Sequence, residues 1–317
     1  MAGYWLPGDD IMAASDFKIV RPITITDAMI TSHSVTEADA TEWTSGAAFT
    51  AGQTCMVTTT ANGAATATHG VYTAQGSTTG DDPTTDDGTN WVLTRYTNAW
   101  KMFDPEYQTQ TVNADTIEID IVLGSGNQAN TLTLLNVEAA SVRAQQTTTG
   151  YDRTITIVRH DVPDWYDWFF ELPVRTGEVV FSDIPPAPTE TLTVTIDNTG
   201  GNAKCGVMVL GKFRILGATQ WEASRTINDY SQTSEAVDGS VTLVQGAYSK
   251  RLNMEFRIDT GMESEITRIL EQYRATELVF IGSEDYSMTI IYGFLGSWAV
   301  PISETGRPAY VEIKGLT

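Results

Sequence analysis

From residue 117 to residue 210 the chain keeps returning to short, strand-like apolar runs. They are Ile117-Glu118-Ile119-Asp120-Ile121, Thr131-Leu132-Thr133-Leu134, Thr154-Ile155-Thr156-Ile157, Val179-Val180-Phe181, Leu192-Thr193-Val194-Thr195-Ile196 and Val207-Met208-Val209-Leu210. Successive side chains of a strand point to opposite faces, so a period of two marks a strand with one face buried. Gly, Asn, Asp and Pro separate the runs, which makes antiparallel connections the economical solution. Residues 97–216 therefore predict a β-sandwich of jelly-roll type.

The pattern changes on either side. Leu252-Asn253-Met254-Glu255-Phe256-Arg257-Ile258 alternates, and Met262, Ile266, Ile269, Leu270 and Tyr273 then recur at helical spacing. Thr260 and Glu263 stand three apart, as in a capping box. Asp238-Gly239 is a hairpin turn signal. Leu278–Ile281, Thr289–Tyr292 and Val311-Glu312-Ile313 read as further strands, so residues 217–317 predict a β-rich unit with one amphipathic helix. At the other end, residues 1–35 predict an arm and a strand that joins the body. Phe17, Ile19, Ile23 and Ile25 alternate around Pro22, which marks a strand edge or a bulge. Thr26–Thr31 reads as a turn or short helix. Within the arm, Tyr4, Trp5 and Leu6 either fray or dock on a neighbour. The fold class is thus mainly β with a small α+β part.

Residues 36–96 are different in kind. Thr, Ala, Gly, Asn and Asp dominate, with few Leu, Ile or Val to bury, yet Trp43, Phe49, His69, Tyr72 and Trp91 are spaced through the segment. Such a stretch can close a small β-fold around Val57, Val71 and Tyr72. Its two Trp are then either the core of a miniature domain or a platform for the flat apolar face of a sugar.

The chemistry-bearing residues narrow the classes of function. The chain carries 19 basic and 40 acidic residues, a net charge of −21. That disfavours nucleic acid and anionic membrane surfaces, which both attract Lys and Arg. No apolar run has the length of a membrane span. Met1-Ala2-Gly3-Tyr4-Trp5 lacks the basic and apolar regions of a signal peptide. Cys55 and Cys205 are expected as free buried thiols, in keeping with assembly in a reducing cytoplasm. His33, His69 and His160 come without a G-x-S-x-G elbow, without a shared helical face and without a C-x-x-C motif. No catalytic residue, metal site or cofactor is assigned. Carboxylates and rings alternate from Asp161 to Glu171 (Asp161, Asp164, Trp165, Tyr166, Asp167, Trp168, Glu171), either as a structural aromatic knot or as the acid and base of a glycoside-cleaving site. Asp81-Asp82 and Asp86-Asp87 form either ordinary acidic turns or weak Ca²⁺ ligands.

Two resemblances extend this reading. Glu42-Trp43, Phe49-Thr50-Ala51-Gly52, His69-Gly70-Val71-Tyr72, Pro83 and Asn90-Trp91 resemble, in order, a small chitin-binding-type carbohydrate-binding module. Phe49 stands where that family usually has Tyr and Gln53 where an acid is common, and the segment from Gly52 to Val71 is longer. The resemblance implies a glycan-stacking surface formed or supported by Trp43, Tyr72 and Trp91. Arg21–Ser32, Thr97–Asp104, Tyr248-Ser249-Lys250-Arg251 and Ile291-Tyr292-Gly293-Phe294, also in order, resemble tailed-bacteriophage tail-tip (baseplate) proteins. The end of the chain is similar to distal tail proteins. That resemblance implies a structural virion protein at the tail tip, assembled in the host cytoplasm. Its implied partners are other tail-tip and tail-tube proteins, copies of itself (a hexamer, with a trimer as the alternative) and a host surface glycan, with no nucleic acid and no membrane insertion. The competing expectation is a polysaccharide-degrading tail enzyme with an appended binding module.

Overall fold

A computed structural model describes residues 15–59, 65–157, 165, 176–220, 223–235, 240–301 and 308–316. The protein is mainly β, with one α-helix and several sheets among the described residues. It divides into two compact units. One comprises residues 21–213 with the last residues of the chain; the other comprises residues up to 20 together with 214–315. The body thus changes units at Phe213/Arg214, three residues before the composition shift at 217, and residues 16–20 of the first strand go with the C-terminal unit.

In the larger unit two sets of antiparallel strands share one core, and the arrangement is sandwich-like. The first set runs Ile30–His33, Thr111–Ile121, Leu192–Cys205, Ser141–Gln146, Tyr151–Thr156. The second runs Thr176–Phe181, Thr131–Glu138, then Val207 onward. The sets meet at a single register pair, Lys204↔Glu138, where the two side chains also form an ion pair at 2.7 Å. Ile117, Ile119 and Ile121 from the first set and Leu132, Leu134, Met208 and Leu210 from the second fill the space between. Alternation is obeyed in Ile117–Ile121, where Glu118 is exposed and the three Ile are buried. It fails in Thr131–Leu135, where every residue is buried. Thr133 faces Val180 and Val209 on its two neighbours, and all three are buried on the side away from the shared core. The Thr133 hydroxyl is buried there without a hydrogen-bond partner, a cost that an apolar β-branched residue would not carry.

The C-terminal unit is one antiparallel sheet in the order 16–20, Leu278–Ile281, Ile290–Ala299, Ala309–Gly315, Tyr248–Arg257, Ser224–Asp229. The helix Glu263–Gln272 buries Ile266, Ile269 and Leu270 against Phe17, Phe256 and Phe280. The helix starts differently from the sequence expectation. Gly261 adopts φ +92, the N-cap is Met262, and Glu263 accepts the N–H of Gly261 at 2.9 Å. The Thr260–Glu263 capping box does not form, because the glycine turn moves the first helical residue past Thr260. Gly293 marks the tightest approach in this sheet. A Cβ there would lie 2.1 Å from the carbonyl oxygen of Lys314, so only hydrogen fits between those strands. Gln232–Glu235 and Val241–Val244 pair as a separate ribbon whose Leu243 is 72% exposed. The Asp238-Gly239 turn signal, the Tyr4-Trp5-Leu6 arm, His160 and all of the 161–171 cluster but Trp165 lie outside the described residues. No described helix is long and apolar enough to cross a membrane.

Asp104 closes the segment that leads into Thr111–Ile121. It is buried and accepts the N–H of Glu106 at 2.8 Å and the O–H of Thr109 at 3.0 Å. Burial dominates those bonds and pushes its carboxyl up to about 7. An acid harder to ionise folded than unfolded makes stability fall as pH rises between the two values, here from about 4 to about 7. Asp104→Asn keeps the acceptor for Glu106. Its melting temperature should therefore fall less than that of the parent between pH 5 and pH 8, as followed by circular dichroism.

Candidate functional site

The chain leaves the body after Ile30–His33 and re-enters it along Thr111–Ile121. These two strands pair with each other: Ile30↔Ile121, Ser32↔Asp120 and His33↔Ile119. Everything between them is extra to the body's sheets. Residues 41–96 have a three-stranded sheet of their own, Thr54–Thr59, Ala65–Ala74 and Trp91–Tyr96, and a two-stranded one, Ala48–Phe49 with Thr78–Thr79. They also have their own core of Trp43, Cys55, Val57, Ala74 and Trp91, edged by Phe49 and Tyr72.

Each ring is fixed by nearby backbone. Glu42-Trp43 docks beside the strand Thr54–Thr59: Trp43 N donates to Met56 O at 2.8 Å and Met56 N to Thr41 O at 2.9 Å. Glu42 Oε1 then accepts the N–H of Thr58 at 2.8 Å and its O–H at 3.0 Å. Trp91 Nε1 donates to Asp81 O at 3.1 Å, and the Trp91 ring meets Phe49 edge-on at 5.0 Å. Asp86 gathers the N–H groups of Gly88, Asn90 and Trp91, which hold its carboxyl below the usual range. Asp82 and Asp87 each accept both the N–H and the O–H of a Thr two residues on. The acidic loop is thus built from side chains that satisfy its own backbone, and no described group of His, Cys, Asp and Glu is arranged to hold a metal ion.

This geometry corrects part of the expected stacking surface. Trp43 is 3% exposed and Trp91 2%. A ring packed on both sides has no face left for a sugar, so both act as core. Of the three residues, Tyr72 alone is only partly buried. Two positions earlier on the strand, Gly70 has no side chain, and a Cβ there would lie 3.0 Å from Tyr72 Cε2 and 2.6 Å from Leu93 Cδ1. The phenol ring and Leu93 therefore lie down across bare backbone. Leu93, opposite Tyr72 in the register, is 42% exposed. Burial, then the nearby Tyr96 and Asp82, push the Tyr72 phenol upward, so it stays a neutral donor. The result is a short apolar strip with one hydroxyl at its margin.

Leu93 lies in none of the motifs the sequence offers, and Gly70 stands in one, His69-Gly70-Val71-Tyr72, that gives it no part in the strip. The place of Leu93 depends on a register shift between Val71 and Tyr72 that puts Leu93, not Thr94, opposite the ring. Compared with family models, curated proteins and solved structures, the chain matches none.

Core and strip respond differently to truncation. Trp91→Ala removes a buried ring and should cost about 3–5 kcal/mol, enough to unfold the inserted part. Tyr72→Ala should cost about 1 kcal/mol and leave it folded. Amide exchange over Thr54–Thr59 in the two variants checks this: comparable loss of protection in both would place Tyr72 in the core as well.

Proposed function

We propose that the chain is a structural component of a bacteriophage tail tip, and that it contacts host surface glycan through the inserted module of residues 36–96. The observation that carries this reading is the closure of the body beneath the insertion. Because Ile30–His33 pairs directly with Thr111–Ile121, the module is an appendage with its own sheet and core. An appendage of that kind can be displayed without altering the scaffold. The Tyr72–Leu93 strip supplies the apolar face against which axial C–H groups of a sugar lie, and the phenol supplies a hydrogen bond at its edge.

The energetics fit a scaffold of several copies. One aromatic–sugar contact contributes about 1 kcal/mol, and a millimolar Kd already requires about 4 kcal/mol, so a single module binds at millimolar strength or weaker. Copies arranged in a closed ring, six-fold with three-fold as the alternative, multiply that through avidity. A net charge of −21 makes free copies repel at low salt, so assembly depends on neighbouring tail-tip and tail-tube proteins. In this reading the chain binds and positions and has no catalytic role.

Two measurements test the proposal on intact particles. Density at the tail tip should contain several symmetry-related copies, and a single copy per tail would overturn the ring. Particles carrying Tyr72→Ala or Leu93→Ser should attach to host cells at least about tenfold less well, a loss of about 1.4 kcal/mol summed over the copies. If both variants fold and attach like the parent, the module is a spacer. Replacing residues 36–96 by a short Gly/Ser linker should leave a soluble body that melts cooperatively, because the strands on either side already pair.

A further inference from the structure

We infer that Glu37 and Asp39 are positioning residues, which hold the inserted module on the body in a single orientation and make it a rigid arm of the protein. A domain inserted through two connections would by default swing on them. The inference concerns how the module is held and does not depend on what it binds.

Both connections are built into the body, which belongs with the module to one compact unit. On the entry side Val35 is part of the body's core. On the exit side Ala99 and Trp100 are part of it, and Tyr96, the last residue of the third module strand, packs against it. Ser34 donates its N–H to the carbonyl of Glu118 at 2.9 Å, and its hydroxyl accepts the N–H of Glu118 at 2.9 Å. Asn98 fixes the exit in the same way. Its side-chain amide donates to Val112 O at 2.7 Å and accepts the N–H of Val112 at 3.0 Å. The module strand Ala65–Ala74 lies against the one-turn helix Asp27–Met29 of the body. There His69 Nε2 comes within 3.3 Å of Asp27 Oδ1, and the rings of His69 and Trp100 are 5.0 Å apart.

The two carboxylates of the entry segment tie these parts together. Glu37 bonds Nδ1 of His69, in the second module strand, at 2.8 Å and accepts the hydroxyl of Thr97 in the exit segment. Asp39 takes Arg95 in the third module strand, Nη1 to Oδ1 at 2.8 Å and Nη2 to its carbonyl at 3.3 Å. Its Oδ2 accepts the N–H of Asn98 at 2.8 Å. Each carboxylate therefore joins three pieces of chain: the entry, the exit and one module strand. Both side chains are mostly buried and Thr97 is wholly so, which leaves water little access to compete for the acceptors. Bonds to a carboxylate are the stronger kind, and a swing of the module would have to break several together. Nor does the exit contain a free hinge residue. Tyr96 pairs with Gly70, Thr97 donates its N–H to the carbonyl of His69 at 3.1 Å, and Asn98 is already bonded to the body. The consequence for attachment rests on the glycan reading. Strips that point in one fixed direction keep the same spacing on every copy, so several can engage without first ordering their modules.

Distances between two spin labels on the full chain test the inference without any glycan. Ala51→Cys on the module and Thr154→Cys on the body are exposed positions, and the buried Cys55 and Cys205 take no label. The parent pair should give one narrow distance distribution. Adding Glu37→Ala and Asp39→Ala together should abolish the narrow peak and spread the distances, while amide protection in Thr54–Thr59 and in Leu192–Cys205 shows that module and body stay folded. A broad or multiple distribution in the parent would overturn the rigid arm. A folded double variant as narrow as the parent would overturn the role of the two carboxylates. Should the double variant not fold, Arg95→Ala takes its place, since it removes only the tie from Asp39 to the third module strand. It should widen the distribution, and a width equal to the parent's would count against the assignment in the same way.

Discussion

The rest of the molecule depends on one backbone pairing, that of Ile30–His33 with Thr111–Ile121. Some eighty residues separate the two strands in sequence, yet they pair, with one register shift between Ile30 and Ser32, at the edge of the larger unit's first set of strands. The pairing settles where the body ends. The intervening residues need only begin and finish close together, and they are free to be poor in aliphatic side chains, because they contribute nothing to the body's own strand ladder. The polar, Thr-rich composition of residues 36–96 is tolerable for that reason: a miniature core of two Trp, a Cys, a Val and an Ala is enough for a domain whose ends are held by something larger.

How much of this was legible in the sequence follows from which physical signal each element emits. Period-two alternation is a local signal, and it located Ile117–Ile121 and Leu192–Ile196 with their buried faces correct. The helix was equally visible, because Ile266, Ile269 and Leu270 repeat on one face. Its cap was not, since whether Thr260 or Met262 starts the helix depends on one glycine at positive φ. Thr131 and Thr133 misled for a different reason. Pattern assigns polar residues outward, but a strand covered on both faces buries both sets, and only its neighbours reveal that.

The candidate site divides along the same line. The rings were easy to find in a segment otherwise so polar. Whether a Trp is core or platform is not a property of its neighbours in sequence, and three-dimensional packing put Trp43 and Trp91 inside. The partners of Tyr72 and of His69 are non-local: Leu93 reaches the ring through a register shift, and Asp27 and Glu37 reach the imidazole from far upstream. The charge of −21, by contrast, is entirely legible and acts on the whole molecule. It favours repulsion between copies, which matters for a chain that leaves Val241, Leu243 and Val244 of its two-stranded ribbon exposed.

The two thiols have a consequence of another kind. Cys55 and Cys205 are free, fully buried in separate cores, and pushed up to about 12 by burial. Thiolate is the reactive form, so both are silent toward oxidants and alkylating reagents while the chain stays folded. Chemically, the surface is that of a cysteine-free protein. A move from reducing to oxidising surroundings forms no disulfide within the folded chain, and a single cysteine placed on its exterior becomes a unique handle for a dye, a spin label or a cross-linker.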